Sequence, residues 1–558
     1  PRAWTYRDAG GLRLTTFNLV AEPWVPVMIR GRHAEVSLER ALLSAHEIDG
    51  LALADPLEAV AVLRQVLLPV AVDALGLPRS LAEWRQRWQS GTLDQDRIAH
   101  YLETYADRFD LFDSVKPFAQ VGGLVSVSGG KKPVSVLLPA VAAGNNVPLF
   151  SSRTEADPPE LGPAEAVRAV LTAHCWDTAG LKGGAVGDSA VHGGKTAGNP
   201  TGPVGQLGVL IPLGRTLAET IMLNTPVSPQ GLVPQDLPQW RRPPSTAAWQ
   251  RRPALGLLDL LTWQARRIRV FPSTAPDGRT VVREALVTAG DRLDFVPEEE
   301  PHTAWRIEER PATGRLPRRP LRHPPGRAAW EGMASLLAVE LSTRERHVVQ
   351  TSSLLRQVAD LEAEAVLETS FPLRVLVTGV EYGQQAAVIE DVVSDELPLP
   401  VAALCRGEAA RDVVLAAVDE AEQLRRAADR LASDLRRAAG AEPSPWDHGD
   451  YVGGVLIHEL TPLARRLLIA IQRAPGEAEA AREVWHGECR EVALAVAEPL
   501  LNALSRSAFR GRKDKNGRFV ALPSSLIGRQ YSARVDHILG LRPSQRSTSD
   551  AGVAQGGV

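Results

Sequence analysis

Residues 414–435 read VLAAVDEAEQLRRAADRLASDL and carry an apolar residue at every third or fourth position. The positions that keep this spacing are Val414, Ala417, Ala421, Leu424, Ala428, Leu431 and Leu435. Arg, Asp and Glu occupy most of the positions between them, so the pattern puts one apolar stripe along a charged helix. The stretch therefore predicts a long helix that buries one face against other helices.

Three later segments continue the helical pattern, at residues 460–471, 481–504 and 524–541. Short connections between long amphipathic helices favour an antiparallel four-helix bundle. We expect this bundle to cover residues 401–545, with a flexible tail at 546–558. Its apolar stripes predict core packing and indicate nothing about function.

The chain before residue 401 mixes strand and helix patterns. Residues 17–27, FNLVAEPWVPV, alternate like a strand that two prolines confine to a sheet edge. Further strand patterns occur at 208–212, 255–271, 280–287 and 371–380, and helical spacing at 57–75, 80–89, 94–109, 163–178 and 217–223. The predicted fold class is α+β. A tail at 1–16 precedes a large mixed α/β domain at 17–400, and the all-α four-helix bundle follows.

Composition limits the possible classes of protein. A chain of 558 residues is too long for one core, and 44% apolar with 23% charged residues is ordinary for a soluble protein. No apolar run is long enough to span a bilayer and no signal peptide opens the chain, so we expect a cytoplasmic protein. The three cysteines are far apart, which excludes a zinc ribbon. With a net charge of −3, a nucleic-acid surface would be a local patch.

A glycine-dense stretch at residues 180–205 reads GLKGGAVGDSAVHGGKTAGNPTGPVG. Glycine has no Cβ, so such a backbone can approach another molecule closely. The ordinary interpretation is a long flexible surface loop. Lysine is rare in the chain, and Lys131, Lys132, Lys182 and Lys195 all lie in glycine-rich segments. These segments are candidates for phosphate contacts.

Two motifs resemble enzyme signatures but lack the required context. LTAHCW at 171–176 and GDSAVHGG at 187–194 are similar to protease motifs, yet only a short loop separates His174 from Ser189. GGKT at 193–196 is similar to the end of a phosphate loop, but its first glycine would fall at Ser189. No histidine pair has metal-ligand spacing. We therefore expect no enzyme, no cofactor and no bound metal.

Four segments together carry a resemblance to a known family. They are FNLVAEPWVPV at 17–27, DRFDLFDSVKPFAQV at 107–121, LLTWQARRIRV at 260–270 and PHTAWR at 301–306. In this order, over residues 17–541, the chain resembles the large subunit of the type I-E CRISPR surveillance complex, Cascade. Such subunits have a mixed α/β domain and a carboxy-terminal four-helix bundle.

The resemblance also implies a function and partners. The protein would read a short motif that flanks the target in double-stranded DNA, while base pairing with the guide crRNA reads the rest. The implied partners are the crRNA, the target DNA, the helicase-nuclease effector and the other Cascade subunits, namely the backbone, small and 5′-handle-binding subunits. No membrane is involved.

The family's DNA-contacting elements map onto particular residues. The glycine loop that meets the minor groove maps to Gly180, Leu181, Lys182, Gly183 and Gly184, and a longer version of it includes Gly193 to Lys195. The wedge that parts the first base pairs maps to EYGQQAA, with Gln385 inserted and Gln384 and Ala386 beside it. The ordinary interpretation of the wedge is a polar hairpin tip.

Three further assignments complete the candidate site. The family's basic finger maps near residues 288–292, where no lysine occurs, so Arg292 is the candidate. Phe150, in NNVPLFSSR, is the candidate for stacking on the guide-RNA handle or else a buried anchor. The candidates for holding the displaced or target strand are Arg506, Arg510, Arg512, Lys513 and Lys515 in a glycine-containing loop that we expect to be mobile.

The prediction is thus a non-catalytic subunit that finds the flanking motif, opens the duplex and helps to recruit the helicase-nuclease. Two alternatives remain open at this stage. One is a stand-alone hydrolase that uses the glycine loop to bind an anion. The other is a structural scaffold that binds only RNA and protein.

Overall fold

The computed structural model describes residues 15–141, 159–308, 318–337, 347–405, 407–440, 452–504, 506–513 and 515–541. The chain forms two compact units. The first consists of Pro1–Gly326, Ala338–Leu367 and Leu373–Glu396. The second consists of Arg327–Leu337, Glu368–Pro372 and Leu397–Val558. The mainly helical second unit therefore also takes in two short segments from the middle of the chain.

The helices begin where the sequence supplies capping groups. Ser80 and Asp94 accept backbone hydrogen bonds at the starts of the helices Leu81–Gln89 and Gln95–Tyr105, and Asp55 does so at the start of the helix Pro56–Val62. The described α-helices are α1 Leu38–Leu43, α2 Pro56–Val62, α3 Leu68–Leu75, α4 Leu81–Gln89, α5 Gln95–Tyr105, α6 Pro163–Trp176, α7 Leu217–Leu223, α8 Leu257–Leu261, α9 Met333–Leu336, α10 Ser353–Ala363, α11 Val401–Leu404, α12 Ala409–Ala439, α13 Val452–Arg473, α14 Ala478–Asn502, α15 Arg506–Arg510 and α16 Ser524–Ile538.

The strands form several small sheets. They are β1 Val25–Ile29, β2 Arg32–Val36, β3 Gly50–Leu51, β4 Lys132–Pro133, β5 Gly180–Gly183, β6 Lys195–Asn199, β7 Val209–Leu213, β8 Arg251–Arg252, β9 Arg266–Thr274, β10 Thr280–Ala289, β11 Arg292–Leu293, β12 Trp305–Glu308, β13 Arg318–Pro320, β14 His347–Gln350, β15 Arg374–Tyr382, β16 Ile389–Pro398, β17 Arg512–Lys513 and β18 Phe519–Ala521. Two of these sheets carry the candidate site.

The first of these sheets is built around β10. Strand β9 pairs with β10 in antiparallel register along its whole length. The other edge of β10 is shared by β4, where Lys132 lies opposite Ala285, and by β5, where Gly183 lies opposite Thr288. Strand β6 extends the sheet beyond β5. In the second sheet β15 lies between β16 and β7.

A π-helical segment at Leu63–Leu67 joins α2 to α3 and places a charged side chain in the core. Arg64 binds the Glu300 carboxylate through two contacts, at 2.7 and 2.8 Å, and also contacts Nδ1 of His302 at 2.5 Å. The bidentate contact compensates for burying the two charges. Burial lowers the pKa of His302 to about 4, so this imidazole is neutral near pH 7.

The structure confirms the predicted fold class: a mixed α/β region precedes a run of long helices, α12, α13, α14 and α16. The seven apolar positions predicted to form the stripe of the helix at 414–435 are all buried in α12. No helix within the described part of the chain is both long and apolar enough to span a membrane.

Two predicted strands were wrong in extent. At residues 17–27 only the end is a strand, because Asn18 forms a turn in which its side chain accepts a hydrogen bond from the Val20 amide. Residues 255–271 contain α8 followed by the start of β9. The carboxylate of Asp236 accepts the amides of Leu258 and Asp259 and so stabilises the helical turn.

Candidate nucleic-acid interface

The predicted glycine loop is largely a β-hairpin. Residues 180–183 form β5 and residues 195–199 form β6, with a bulge between Gly180 and Lys182. Gly180 has a φ of +114°, which residues with a Cβ rarely adopt. The prediction of a long surface loop is therefore wrong for these two segments, because β5 pairs on one side with β6 and on the other with β10.

Neighbouring glycines of the hairpin have different surroundings. A Cβ at Gly183 would meet nothing within 4 Å, whereas a Cβ at Gly184 would lie 2.7 Å from a methyl carbon of Val191. The Leu181 side chain is 63% exposed. Gly183 thus presents backbone without a side chain to open space. At Gly184 the packed Val191 side chain leaves no room for a Cβ.

Lys182 does not extend into solvent. Its Nζ lies 2.6 Å from Oδ2 of Asp177, and only 13% of its side chain is exposed. Arg266 binds the same carboxylate oxygen. Burial lowers the pKa of Lys182, while the charge of Asp177 raises it. The ammonium is therefore held beside the strand, at the end of α6.

The predicted wedge lies at the turn between β15 and β16. Gln385 and Ala386 adopt left-handed backbone conformations, with φ of 57° and 54°. The turn is closed by hydrogen bonds from the Ala386 amide to the Gly383 carbonyl and from the Gly383 amide to the Val388 carbonyl. Gln384 and Gln385 are exposed. The tip is therefore a polar projection whose backbone is held in a sparsely populated conformation.

The glycine strand, which is β5, and the wedge turn, which is residues 383–388, are directly connected. The amide of Ala179, which precedes β5, donates to the carbonyl of Ala386 at 2.8 Å. Tyr382, at the end of β15, donates to the carbonyl of Trp176, 206 positions away, at 2.7 Å. Residues 180–183 and Gln385 line the same cleft of about 320 Å³. The fold thus brings together two elements that are far apart in sequence.

Arg292 braces the hairpin from outside the cleft. Its guanidinium donates to the Ala197 carbonyl at 2.6 Å and lies 3.8 Å from the centre of the Trp249 ring. Burial lowers its pKa. In this arrangement Arg292 supports β6 and does not project as a finger.

The remaining predicted residues have different outcomes. Phe150 and the side chain of Arg506 lie outside the described residues. Arg510, Arg512, Lys513 and Lys515 are exposed. The predicted mobile loop contains a short hairpin, in which β17 pairs with β18 and the Lys513 ammonium lies 4.7 Å from the Phe519 ring centre. This basic hairpin belongs to the second unit, whereas the cleft belongs to the first.

The motifs that resemble enzyme signatures have structural roles. His174 is buried in α6, with Nε2 2.9 Å from the Ala119 carbonyl oxygen, and burial lowers its pKa to about 4. Ser189 is exposed, and Thr196 of the GGKT sequence donates to Asp188. In the ranges that the structure describes, no three His, Cys, Asp or Glu side chains are grouped to hold a metal ion.

Sequence reasoning missed the importance of Asp177. It caps the end of α6 and stands directly before the glycine stretch, but its partners Lys182 and Arg266 meet it only in the folded sheet. The sequence did single out Lys132 among the glycine-flanked lysines, and Lys132 lines the cleft. The position of Asp177 beside a glycine-rich segment that contains a lysine was the one feature of the sequence that could have indicated this ion pair.

A family model described as CRISPR-associated protein Cse1 matches residues 18–496. This chain belongs to the Cse1 family. A Cse1-family relative, the CRISPR-associated protein CasA/Cse1 of Thermus thermophilus, is 32% identical over 502 residues, covering 86% of this chain and 91% of the relative. The family resemblance noted in the sequence is thereby confirmed.

Solved Cse1 structures have the same fold. The crystal structure of Thermobifida fusca Cse1 matches with a TM-score of 0.81 and 31% identity, over 94% of this chain and 98% of that one. A chain from a structure of a CRISPR RNA-guided surveillance complex matches with a TM-score of 0.64 and 21% identity, over 93% of this chain and 99% of that one. The second likeness shows a shared fold.

Proposed function

We propose that this Cse1-family chain is the non-catalytic DNA-recognition subunit of a cytoplasmic RNA-guided surveillance complex. It recognises a short motif beside the target in double-stranded DNA, opens the duplex there and helps to recruit a helicase-nuclease. The observation that carries this proposal is the hydrogen bond between Ala179 and Ala386, because it joins the glycine strand to the wedge turn. One element then contacts the groove while the other separates base pairs.

The glycine strand has a shape that suits the minor groove. That groove is only about 6 Å wide, so bulky side chains enter it poorly. At Gly183 the backbone faces open space, and Lys182 is folded back onto Asp177. The strand therefore offers at Gly183 a face without side-chain bulk, which can contact the base edges closely. Such contacts distinguish A·T from G·C pairs, which is sufficient to read a short, degenerate motif.

The wedge turn has the rigidity that strand separation requires. Two successive left-handed residues cost about 1–3 kcal/mol each, so the turn keeps this shape only because the hairpin enforces it. An exposed Gln385 at the tip can form hydrogen bonds with bases that have lost their partners. A rigid polar projection is better suited to this task than a mobile loop.

Other parts of the chain would contact the remaining partners. The exposed cations Arg510, Arg512, Lys513 and Lys515 suit a DNA strand, and Phe150 remains the candidate for the guide-RNA handle. Arg292 remains the candidate for the basic finger, in which case it must leave Trp249 when DNA binds. The structural relative is a chain of an RNA-guided surveillance complex, which is consistent with a guide crRNA and other subunits as partners. Target DNA follows as a partner from the proposed function.

Among the described residues, the protease-like motifs give the hydrolase alternative no support. His174 is buried and bonded to a backbone carbonyl, so it is unavailable as a base toward Ser189. The scaffold alternative makes a different prediction from the proposed function, because a scaffold would leave duplex binding independent of the flanking sequence.

The test uses the assembled complex with a guide RNA and a library of guide-matched duplexes with randomised flanks. We expect the complete complex to enrich one short motif and the complex without this subunit to enrich none. Equal recovery of all flanks by both complexes would contradict the proposed function and favour a scaffold.

A further inference from the structure

The cleft between the glycine strand and the wedge turn has the size and walls of a ligand site. Its volume, about 320 Å³, is at the lower end of the usual range for small-molecule sites. Apolar and polar atoms share its walls about equally, and the apolar side chains include Val136, Leu138, Pro139, Val287 and Ile389. Asp177, Thr178 and Lys182 add polar groups to the lining. A flat, partly polar ring would find both kinds of contact here.

The charges around the cleft favour an anionic occupant. Asp177 is the only carboxylate in the described lining, and it already binds Lys182 and Arg266. Lys132 also lines the cleft and is exposed, with no carboxylate in ion-pair distance within the described ranges. Burial lowers the pKa of Lys182, and the charges of Arg266 and Lys132 add to this effect. Among the described residues, the positive charge of Lys132 is therefore uncompensated.

We infer that this cleft holds one nucleotide extruded from the opened duplex, with its base between the apolar walls and its phosphate on Lys132. Lys182 uses one ammonium hydrogen on Asp177 and can donate another to a ring carbonyl of the base. The inference rests on the proposed function, since a nucleotide becomes available only when Gln385 has separated a base pair. Extruding a base costs a few kcal/mol, and a site beside the wedge offsets part of that cost.

Lys132 and Lys131 provide a matched pair for the test. Lys131 is adjacent and also exposed, but it pairs with Glu284 at 3.0 Å, lies over the Phe271 ring and does not line the cleft. The assay uses the assembled complex and guide-matched duplexes with 2-aminopurine at each of the first protospacer positions, because its fluorescence rises when the base leaves the stack. We expect Lys132→Ala to lower the open fraction at least about fivefold and Lys131→Ala to leave it unchanged.

A second variant tests the walls of the cleft. Val136→Phe fills the cleft, and Val115→Phe places the same side chain at an exposed position outside it. We expect Val136→Phe to lower the open fraction and Val115→Phe to have no effect. An abasic nucleotide at the captured position should abolish the difference between Val136→Phe and wild type, because no base remains to be held.

The outcomes separate this inference from the proposed function. If Lys132→Ala and Val136→Phe open the duplex like wild type, or if the abasic target preserves the defect of Val136→Phe, nucleotide capture is wrong. Both variants should bind the flanking motif as the wild type does, in a binding assay with intact duplex. If the wild-type complex does not dock in a motif-dependent way, the proposed function itself is wrong.

Discussion

Single residues at the end of the glycine strand and directly after it differ in what they tolerate. Gly183 has room for a side chain on the protein, whereas Gly184 is packed against Val191. Bulk added at Gly183 is therefore compatible with the fold, and under the proposed function it would interfere with bound DNA. Bulk added at Gly184 interferes with the fold.

Gly183→Asp should weaken binding of target duplex by the assembled complex at least about tenfold, which is about 1.4 kcal/mol. The substitution adds volume and negative charge where the proposed function brings backbone to DNA. Binding titrations and thermal unfolding of the same preparations check it, and the unfolding midpoint should stay close to wild type.

Gly184→Ala is the matched control, because its Cβ would press on Val191 and lower the unfolding midpoint. Unchanged duplex affinity of Gly183→Asp would show that this strand does not meet DNA.

Gln385→Ala should slow duplex opening more than it weakens docking on the flanking motif. Under the proposed function the side chain acts only on separated base pairs, which exist after docking. Opening rates on fully paired targets, compared with targets carrying a pre-opened bubble, check this, and the bubble should restore the variant to wild-type rates.

Gln385→Asn keeps the amide and tolerates the left-handed backbone but is one methylene shorter, so it tests whether the amide must reach the separated bases. Equal defects of Gln385→Ala on paired and bubble targets would rule out a wedge.

At the scale of elements, the basic hairpin of β17 and β18 is an exposed cationic segment of the second unit. Each cation that neutralises a phosphate of single-stranded DNA contributes about 0.7 to the salt slope of binding. Replacing Arg512, Lys513 and Lys515 together by alanine should flatten that slope by about two units without changing the preferred flanking motif. Affinity for the target, measured across a series of salt concentrations, gives this slope.

The control for this triple variant removes the same charge elsewhere in the second unit. Arg426, Arg437 and Arg466 are exposed on helices and each lies within ion-pair distance of a carboxylate. Their joint replacement by alanine should change the slope much less. A slope identical in both triple variants would mean that the basic hairpin does not contact DNA.

Elements with local determinants could be predicted from the sequence, and those with distant determinants could not. The starts of α4 and α5 follow from the capping residues Ser80 and Asp94, which act within a few residues. Strand β5 could not be recognised, because its glycine-rich residues become a strand only by pairing with partners such as Thr288, which lies far along the chain. Its bond to the wedge turn spans a still longer separation.

In the candidate site, too, the sequence predicts the elements but not the distant contacts between them. The resemblance to the large subunit of Cascade pointed to the glycine strand and to Gln385, but the contacts that hold them had no signature in the sequence. Asp177 meets Arg266 from 89 positions away, and the same carboxylate holds the Lys182 ammonium beside the strand. Whether a lysine is free or paired depends on tertiary packing, so composition alone could not distinguish Lys132 from Lys182.

For the whole molecule, buried neutral histidines make stability depend on pH. Burial lowers the pKa of His174 and of His302 from 6.5 to about 4. The unfolded chain therefore binds more protons between these values, and the free energy of unfolding should fall as the pH drops from about 6.5 to about 4. The loss is at most roughly 3 kcal/mol per histidine. Urea unfolding followed by tryptophan fluorescence at several pH values measures it.

His174→Gln should reduce this pH dependence. The glutamine amide can donate to the Ala119 carbonyl in place of Nε2 and does not titrate. A variant whose stability falls with acid as steeply as that of the wild type would show that His174 is not responsible.

The hydrogen bond between Ala179 and Ala386 fixes the distance between the glycine strand and the wedge turn. Because the strand and the turn are joined by 2.8 Å of hydrogen bond and not by a mobile linker, the step between them has a fixed length. Under the proposed function, the first base pair to separate then lies a set number of positions from the motif, whatever the target. A target with one extra base pair between motif and guide-matched segment would start to open out of register with the guide.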